Sequence, residues 1–190
     1  MKNLLKISAL LAAIILIACS NEALDSFSEM NQEVAYRNVE IPFTVDYVGT
    51  YLYGPFGIPT DKCDINVFVE GEGTGTHVGH SIIYFDFCVT PYFTPDGQLD
   101  HGDYGNSDAY IVAANGDLLF VSVEGTVYPG RLDDHPEHVV SYWRDPFVIT
   151  GGTGRFEGAT GGGMTNDYNS SEDSNSHHHW EGTINLQVGN

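Results

Sequence analysis

Basic residues are scarce in this 190-residue chain: seven Lys and Arg stand against 26 Asp and Glu, for a formal charge of −19. A surface of that sign repels phosphates, so nucleic acid and anionic lipid headgroups are excluded as partners of the folded domain. Only three cysteines occur, Cys19, Cys63 and Cys88. No apolar run is long enough to span a bilayer. The longest, residues 7–18, is broken only by Ser8 and falls short of a hydrocarbon core of roughly 30 Å. After residue 38 no stretch keeps a helical period, which argues against an α-helical domain. No G-K-[ST] motif, no G-x-G-x-x-G in register and no helix after the glycines at 151–161 can be found, so a phosphate cradle is excluded. No Ser-His-Asp or Cys-His spacing suggests a nucleophile, and no repeat of fixed period is visible.

The short apolar run has a different use. Lys2 and Lys6 precede it, and it ends Leu16-Ile17-Ala18-Cys19. A basic start, an apolar core of about a dozen residues and a small residue before the cut make a secretory signal peptide. The Cys at the cut predicts lipidation: residues 1–18 are removed and Cys19 carries the acyl chains. Two or more chains anchor a protein stably, whereas one does so only marginally. Residues 19–38, with Ser20, Asn21, Glu22, Asp25, Ser26, Ser28 and Glu29, read as the lipidated Cys and a polar tether. Loss of Lys2 and Lys6 takes the mature chain to near −21. The expected location is the cell envelope, on the outer membrane, with the domain outside the cytoplasm.

Residues 39–190 are enough for one domain with a real core. Their composition, rich in Gly, Tyr, Phe, Val, Ile and Thr, predicts an all-β fold. Alternating segments punctuated by Gly and Asx-Gly give eight strands: 39–53, 64–70, 77–89, 108–114, 118–128, 138–150, 158–166 and 178–188. Pro42 and Gly49 fall in the first, Gly49 as a bulge or bend. Asn115-Gly116 is the strongest hairpin signal. Residues 71–75 read as a turn, and 91–107, 129–137 and 169–176 as polar loops. Eight sequential antiparallel strands predict a closed barrel, which leaves no free edge, with a β-sandwich as the alternative. A hairpin centred near residue 75 or 76 sets Cys63 opposite Cys88, close enough for a disulfide in an oxidising compartment.

Three segments carry a resemblance. The stretch 149–161 contains Gly151, Gly152, Gly154, Arg155, Phe156, Gly158 and Gly161; 73–79 reads GTGTHVG and 113–119 reads AANGDLL. Together they span about 90 residues in order, and they resemble the allene oxide cyclase/dirigent-type barrel superfamily. The resemblance implies a hydrophobic cavity that holds one reactive ligand in a fixed shape. Plant members include an isomerase that cyclises a fatty-acid epoxide and proteins that steer radical coupling of phenols. The matched residues belong to strands and turns. They carry fold rather than chemistry, so no family catalytic residue transfers to a position here. Bottom-up, Gly151, Gly152 and Gly154 permit positive φ in a tight reversal, and Phe156 tucks into the end of the barrel.

Several side chains are candidates for chemistry. His177 and His179 share a strand face and could bind Zn²⁺ or Cu²⁺ with Glu172 or Asp173, against the plainer reading of an exposed polar stretch. His77 and His80 bracket a turn, where His77 fits a structural role or a place at the barrel mouth. Asp96, Asp100, Asp103 and Asp108 could offer oxygen ligands to Ca²⁺, without EF-hand spacing. Glu124 sits in an apolar strand; facing inward it would be a general acid or base, while the alternative puts Leu119, Val121 and Val123 in the core and Glu124 in solvent. No cofactor is implied. The expected function is non-catalytic: a membrane-anchored lipoprotein that binds a small apolar ligand or serves as an interaction module. The alternative is a cyclase or isomerase acting on an unsaturated lipid-like substrate.

Overall fold

In the computed structural model, residues 36–189 are described; the segment expected to be a signal peptide, Cys19 and most of the expected tether lie outside them. Ten strands follow one another: β1 (Tyr36–Tyr51), β2 (Asn66–Gly75), β3 (Gly79–Phe93), β4 (Leu99–Val112), β5 (Leu118–Pro129), β6 (Val139–Trp143), β7 (Pro146–Gly152), β8 (Thr160–Thr165), β9 (Asp167–Ser170) and β10 (Ser176–Gly189). All their pairings are antiparallel. The sheet closes on itself because β1 pairs with β10 as well as with β2.

The count of ten reduces to a ring of eight. β5 pairs first with β7, Val123 opposite Phe147, and further along with β6, Tyr128 opposite Tyr142. β10 likewise pairs with β8 and then with β9. β6 with β9, and β7 with β8, share one register, Trp143 facing Asp167 and Pro146 facing Met164. So β6 and β7 are one position in the ring, and β9 and β8 the next, each interrupted once. The interruption has a local cause. Pro146 lacks an N–H to donate and restricts the residue before it. Across the gap the Asp145 N–H donates to Thr165 Oγ1 at 2.9 Å, and Arg144 Nε donates to Asn166 Oδ1 at 2.7 Å.

Several sequence expectations shift. The predicted strand 138–150 is split. The segments 91–107 and 169–176 are not loops throughout: β3 and β4 run through most of the first, leaving a tight turn at 94–98, and β9 ends inside the second. The 71–75 turn is also strand, and the hairpin turns at 76–78. His77 adopts φ 66° there, and its Nε2 lies 3.1 Å from the Pro42 carbonyl, a structural role. This later pivot moves the register, so Cys88 faces Asn66 rather than Cys63. The disulfide forms nonetheless, because the chain before β2 folds back to bring the Cα atoms of Cys63 and Cys88 within 6.0 Å.

Strand alternation sorts the side chains. Phe43, Val45 and Tyr47 point inward from β1, and Leu119, Val121 and Val123 from β5. One end of the ring is filled by Phe43, Val78, Ile111, Leu119, Phe156 and Ile184, each at most 1% exposed. Phe156 comes from a single 3-10 turn, Gly154–Phe156, and plugs that end as the sequence predicts. Gly151, Gly154, Gly158 and Gly161 hold positive φ. Gly152 does not; its missing Cβ instead leaves room for the Leu118 carbonyl. Close approach is also the reason for Gly182, which faces Gly163 across β10 and β8. A Cβ there would collide with the Gly162 carbonyl. Because that neighbour is backbone, Gly182→Ala is expected to cost about 2–3 kcal/mol through overpacking, read from the urea midpoint at unchanged slope.

Candidate functional site

The other end of the ring is hollow. A cavity of about 680 Å³ opens between the β1–β2 loop, the 94–98 turn, the 130–138 loop and the 171–175 loop. Its walls are mainly apolar: Val67 and Val69 from β2, Phe85, Phe87 and Val89 from β3, Val127 from β5. Both tryptophans of the chain, Trp143 and Trp180, line it as well. Trp180 stacks on Phe147 at 4.9 Å and Phe147 meets Phe43 at 6.0 Å, so these rings divide the filled half from the hollow one.

A polar cluster lies at the inner end. Asp167, 1% exposed, is the first residue after the interruption between β8 and β9. Its Oδ1 accepts the backbone N–H of His179 at 3.1 Å. Trp180 Nε1 donates to both carboxylate oxygens at 3.0 and 3.1 Å. His178 Nδ1 stands 3.0 Å from Oδ2 and, facing a carboxylate, carries the proton. His178 Nε2 then accepts the Ser176 hydroxyl at 2.8 Å. Ser176, His178 and Trp180 alternate inward along β10, which is why three residues two apart share one site. Gly49 keeps the space clear, since a Cβ there would strike both Ser176 Oγ and Val69.

This is the order of contacts found in a Ser-His-Asp relay, assembled from residues whose spacing gives no such pattern in sequence. It lacks an open nucleophile. Ser176, His178 and Asp167 border the cavity, but they satisfy one another and the Ser176 hydroxyl group is sunk in the wall, the residue being only 1% exposed. The cluster therefore works as a satisfied polar floor that fixes the rings of His178 and Trp180. Two further polar pairs stand along the wall. Tyr51 donates to Asn169 Oδ1 at 2.7 Å, and Tyr104 donates to Asp145 Oδ2 at 2.9 Å. Burial holds the Tyr51 phenol above its ordinary range. Burial and the neighbouring Asp145 carboxylate do the same for Tyr104. Burial raises Asp145 too, against the pull of the Tyr104 hydroxyl and the Thr126 N–H. Asp145 lies over Gly125, in space that a side chain there would occupy.

The candidates named from sequence fall elsewhere. Glu124 is exposed on the outer face, while Leu119, Val121 and Val123 form the core; the acid/base expectation for Glu124 is overturned, because its strand face is the outward one. His177 and His179 also face outward. His177 stacks on Tyr168 at 4.7 Å and lies 3.1 Å from Asp173, whereas His179 bonds Asp46 at 2.6 Å and Glu181 at 3.2 Å. Asp46 and Glu181 hold His179 above the ordinary imidazole range. His80 pairs with Glu72 outside. Asp96 accepts the Thr94 hydroxyl, Asp100 bonds His101 and Asp103 accepts the Thr126 hydroxyl; the side chain of Asp108 is outside the described set. Among the described residues no group of three or more His, Cys, Asp or Glu is placed to hold a metal.

No protein-family model matches the chain, and no curated protein matches it. Among the solved structures similar to it are two titled as pterocarpan synthase dirigent proteins. One, GePTS1, is 12% identical over 82% of this chain and 87% of its own, with a TM-score of 0.34. The other, PsPTS1, is 11% identical over 81% of this chain and 97% of its own, with a TM-score of 0.33.

Removing the Asp167 carboxylate would strand the buried N–H groups of His178 and Trp180. Asp167→Ala is expected to cost about 3 kcal/mol or more, seen as a fall in unfolding midpoint, while Glu124→Gln leaves the midpoint unchanged.

Proposed function

We propose that this chain is an envelope lipoprotein whose eight-position ring is a barrel of the allene oxide cyclase/dirigent type, and that it binds one small apolar molecule in its open half. The observation that supports this most directly is the cavity itself. Its volume of about 680 Å³ lies within the ~300–1,000 Å³ of small-molecule sites, and apolar walls with a few convergent polar groups are the usual makeup of such sites. The closed register of the ring and the three motifs at 73–79, 113–119 and 149–161 support the barrel type. The ligand fits as a flat or flexible hydrocarbon with a polar group that can reach Asn169 or Tyr51.

Acid–base catalysis, as in a cyclase or isomerase, ranks second. It would need an open acid or base facing the ligand. Glu124 points outward, and Ser176 and His178, which border the cavity, are only 1% and 6% exposed.

The two tryptophans make the cavity its own reporter. An uncharged naphthylamine probe is expected to quench Trp143 and Trp180 saturably. Val89→Phe combined with Val127→Phe narrows the cavity and should weaken that binding at least tenfold with the unfolding midpoint retained. Saturable quenching that ignores the double substitution would place the probe elsewhere. For the anchor, Cys19→Ser is expected to move the protein from the membrane pellet to the soluble fraction; a variant that pellets as before would refute lipidation at Cys19.

A further inference from the structure

Large apolar side chains exposed to water are ordinarily scattered singly over a surface. Here single ones such as Val148 and Met164 lie on the outer wall, but a contiguous group gathers at the cavity mouth. Phe56 is 84% exposed, Phe93 62% and Tyr53 59%, and Leu52, Leu99 and Val140 are each about half exposed. Phe56, Phe93, Leu99 and Val140 also line the cavity. One apolar surface therefore runs without a break from the outside of the molecule, over the lip, to the inner walls.

A second feature encircles the ring just below that lip. Tyr92, His101, Tyr128, Tyr142, Tyr168 and His177 occupy β3, β4, β5, β6, β9 and β10, six neighbouring strands in succession. Tyr92 faces His101, Tyr128 faces Tyr142, Tyr142 faces Tyr168 and Tyr168 faces His177. Their rings stack or tilt against each other at 4.6 Å (Tyr92–His101), 6.1 Å (His101–Tyr128), 5.7 Å (Tyr128–Tyr142) and 4.7 Å (Tyr168–His177). Their strand neighbours Pro91, Gly102, Val127 and Trp143 line the cavity, so the row faces outward. Rings with an apolar body and a polar tip favour the boundary between hydrocarbon and water.

We propose that the open end seats on a lipid bilayer, with the apolar lip side chains reaching the acyl boundary and the mouth-loop carboxylates and ring row held at the headgroups, so that the cavity fills from the membrane with an acyl chain or another membrane-dissolved hydrocarbon. This rests on the cavity reading above and names its ligand class. A lipid is favoured over a protein partner because the apolar surface continues inward: a protein seated on the lip would cover the mouth and leave the cavity behind it empty. Charge selects the lipid. Asp96, Asp133, Asp134, Glu172 and Asp173 sit in the mouth loops, so the bilayer is zwitterionic rather than anionic.

Amide exchange of the full chain, with and without phosphatidylcholine vesicles, tests it. Peptides covering 52–58 and 93–99 are expected to exchange at least tenfold more slowly with vesicles, while the far turn at 115–117 is unaffected. Leu52→Asp with Tyr53→Asp, both exposed on the lip and neither lining the cavity, should abolish that protection and leave quenching of Trp143 and Trp180 by the soluble naphthylamine probe intact. Lip peptides that ignore vesicles while the probe still binds would overturn membrane docking and spare the cavity reading. Lip protection in a chain that never binds the probe would sink the cavity reading, and filling from the membrane with it. Protection that appears without lipid and grows with protein concentration would overturn the proposal in favour of an interface between copies.

Discussion

The ladder between β1 and β10 is the constraint on which the rest of the structure depends. It runs from Tyr36 opposite Gly189 to Gly49 opposite Ser176, and it joins the two ends of the described chain. Without it β1 and β10 would be open edges of a long sheet, each offering unpaired N–H and C=O groups. With it, every strand has neighbours on both sides and one face becomes an inside. The closure also sets the register of the inner face. Tyr47, Ser176, His178 and Trp180 point inward because β1 and β10 are locked in this phase, and a slip by one residue would exchange them with Asp46, His177 and His179.

The inside is then divided unevenly. Phe156 and the aliphatic residues around it fill one half, and the rings of Trp180 and Phe147 form a partition. Beyond it the interrupted strands bring a different group inward. The break at Asn166 ends β8 and starts β9 at Asp167, whose carboxylate reaches the Trp180 indole and the His178 imidazole. A carboxylate this buried is tolerable only with several donors on its oxygens, and the backbone N–H of His179, the indole and the imidazole provide them. Asp145, at the partner break, meets Tyr104 and the Thr126 N–H in the same way. The two breaks thus place Asp167 at the floor of the cavity and Asp145 behind its wall.

Much of this was legible in the sequence, and what was not has physical reasons. Alternation between apolar and polar residues revealed the all-β fold and the inward face of Leu119, Val121 and Val123, because a period of two is visible locally. Phe156 was recognisable as a plug from the glycines around it. The hairpin pivot was misplaced by two residues, because Gly71, Gly73 and Gly75 look like a turn when read alone. In the fold they are strand residues under close contact with β1, where Gly73 leaves room for the Asp46 carbonyl. The stretch 91–107 looked like a loop because Asp96 and Gly97 form its turn, Asp100 and Asp103 are solvent-facing and Gly105 lies in a bulged pair. Asp167 and His178 escaped notice for a different reason. Nothing local distinguishes them from Asp173 or His177; only the closure of β10 against β1 and β9 decides which imidazole turns inward.

The open mouth follows from the size of the hollow half. An enclosed, dry void costs on the order of 24 cal/mol per Å³. At about 680 Å³ that is roughly 16 kcal/mol, more than the ~5–15 kcal/mol by which a domain of this kind is stable at all. Such a space cannot be both sealed and empty. It must admit water or hold something else. The walls of Val67, Val69, Phe85 and Phe87 give water few partners, since a buried water needs two to four polar contacts, and the wall groups Tyr51, Asn169 and Tyr104 are already hydrogen-bonded. Water along the apolar walls is therefore poorly held, and an apolar occupant that displaces it gains free energy without breaking good hydrogen bonds. The polar groups pair with one another: the Asp167 cluster steadies the partition between the two halves, the wall hydroxyl groups of Tyr51 and Tyr104 are bonded to Asn169 and Asp145, and the space between remains free for a hydrocarbon.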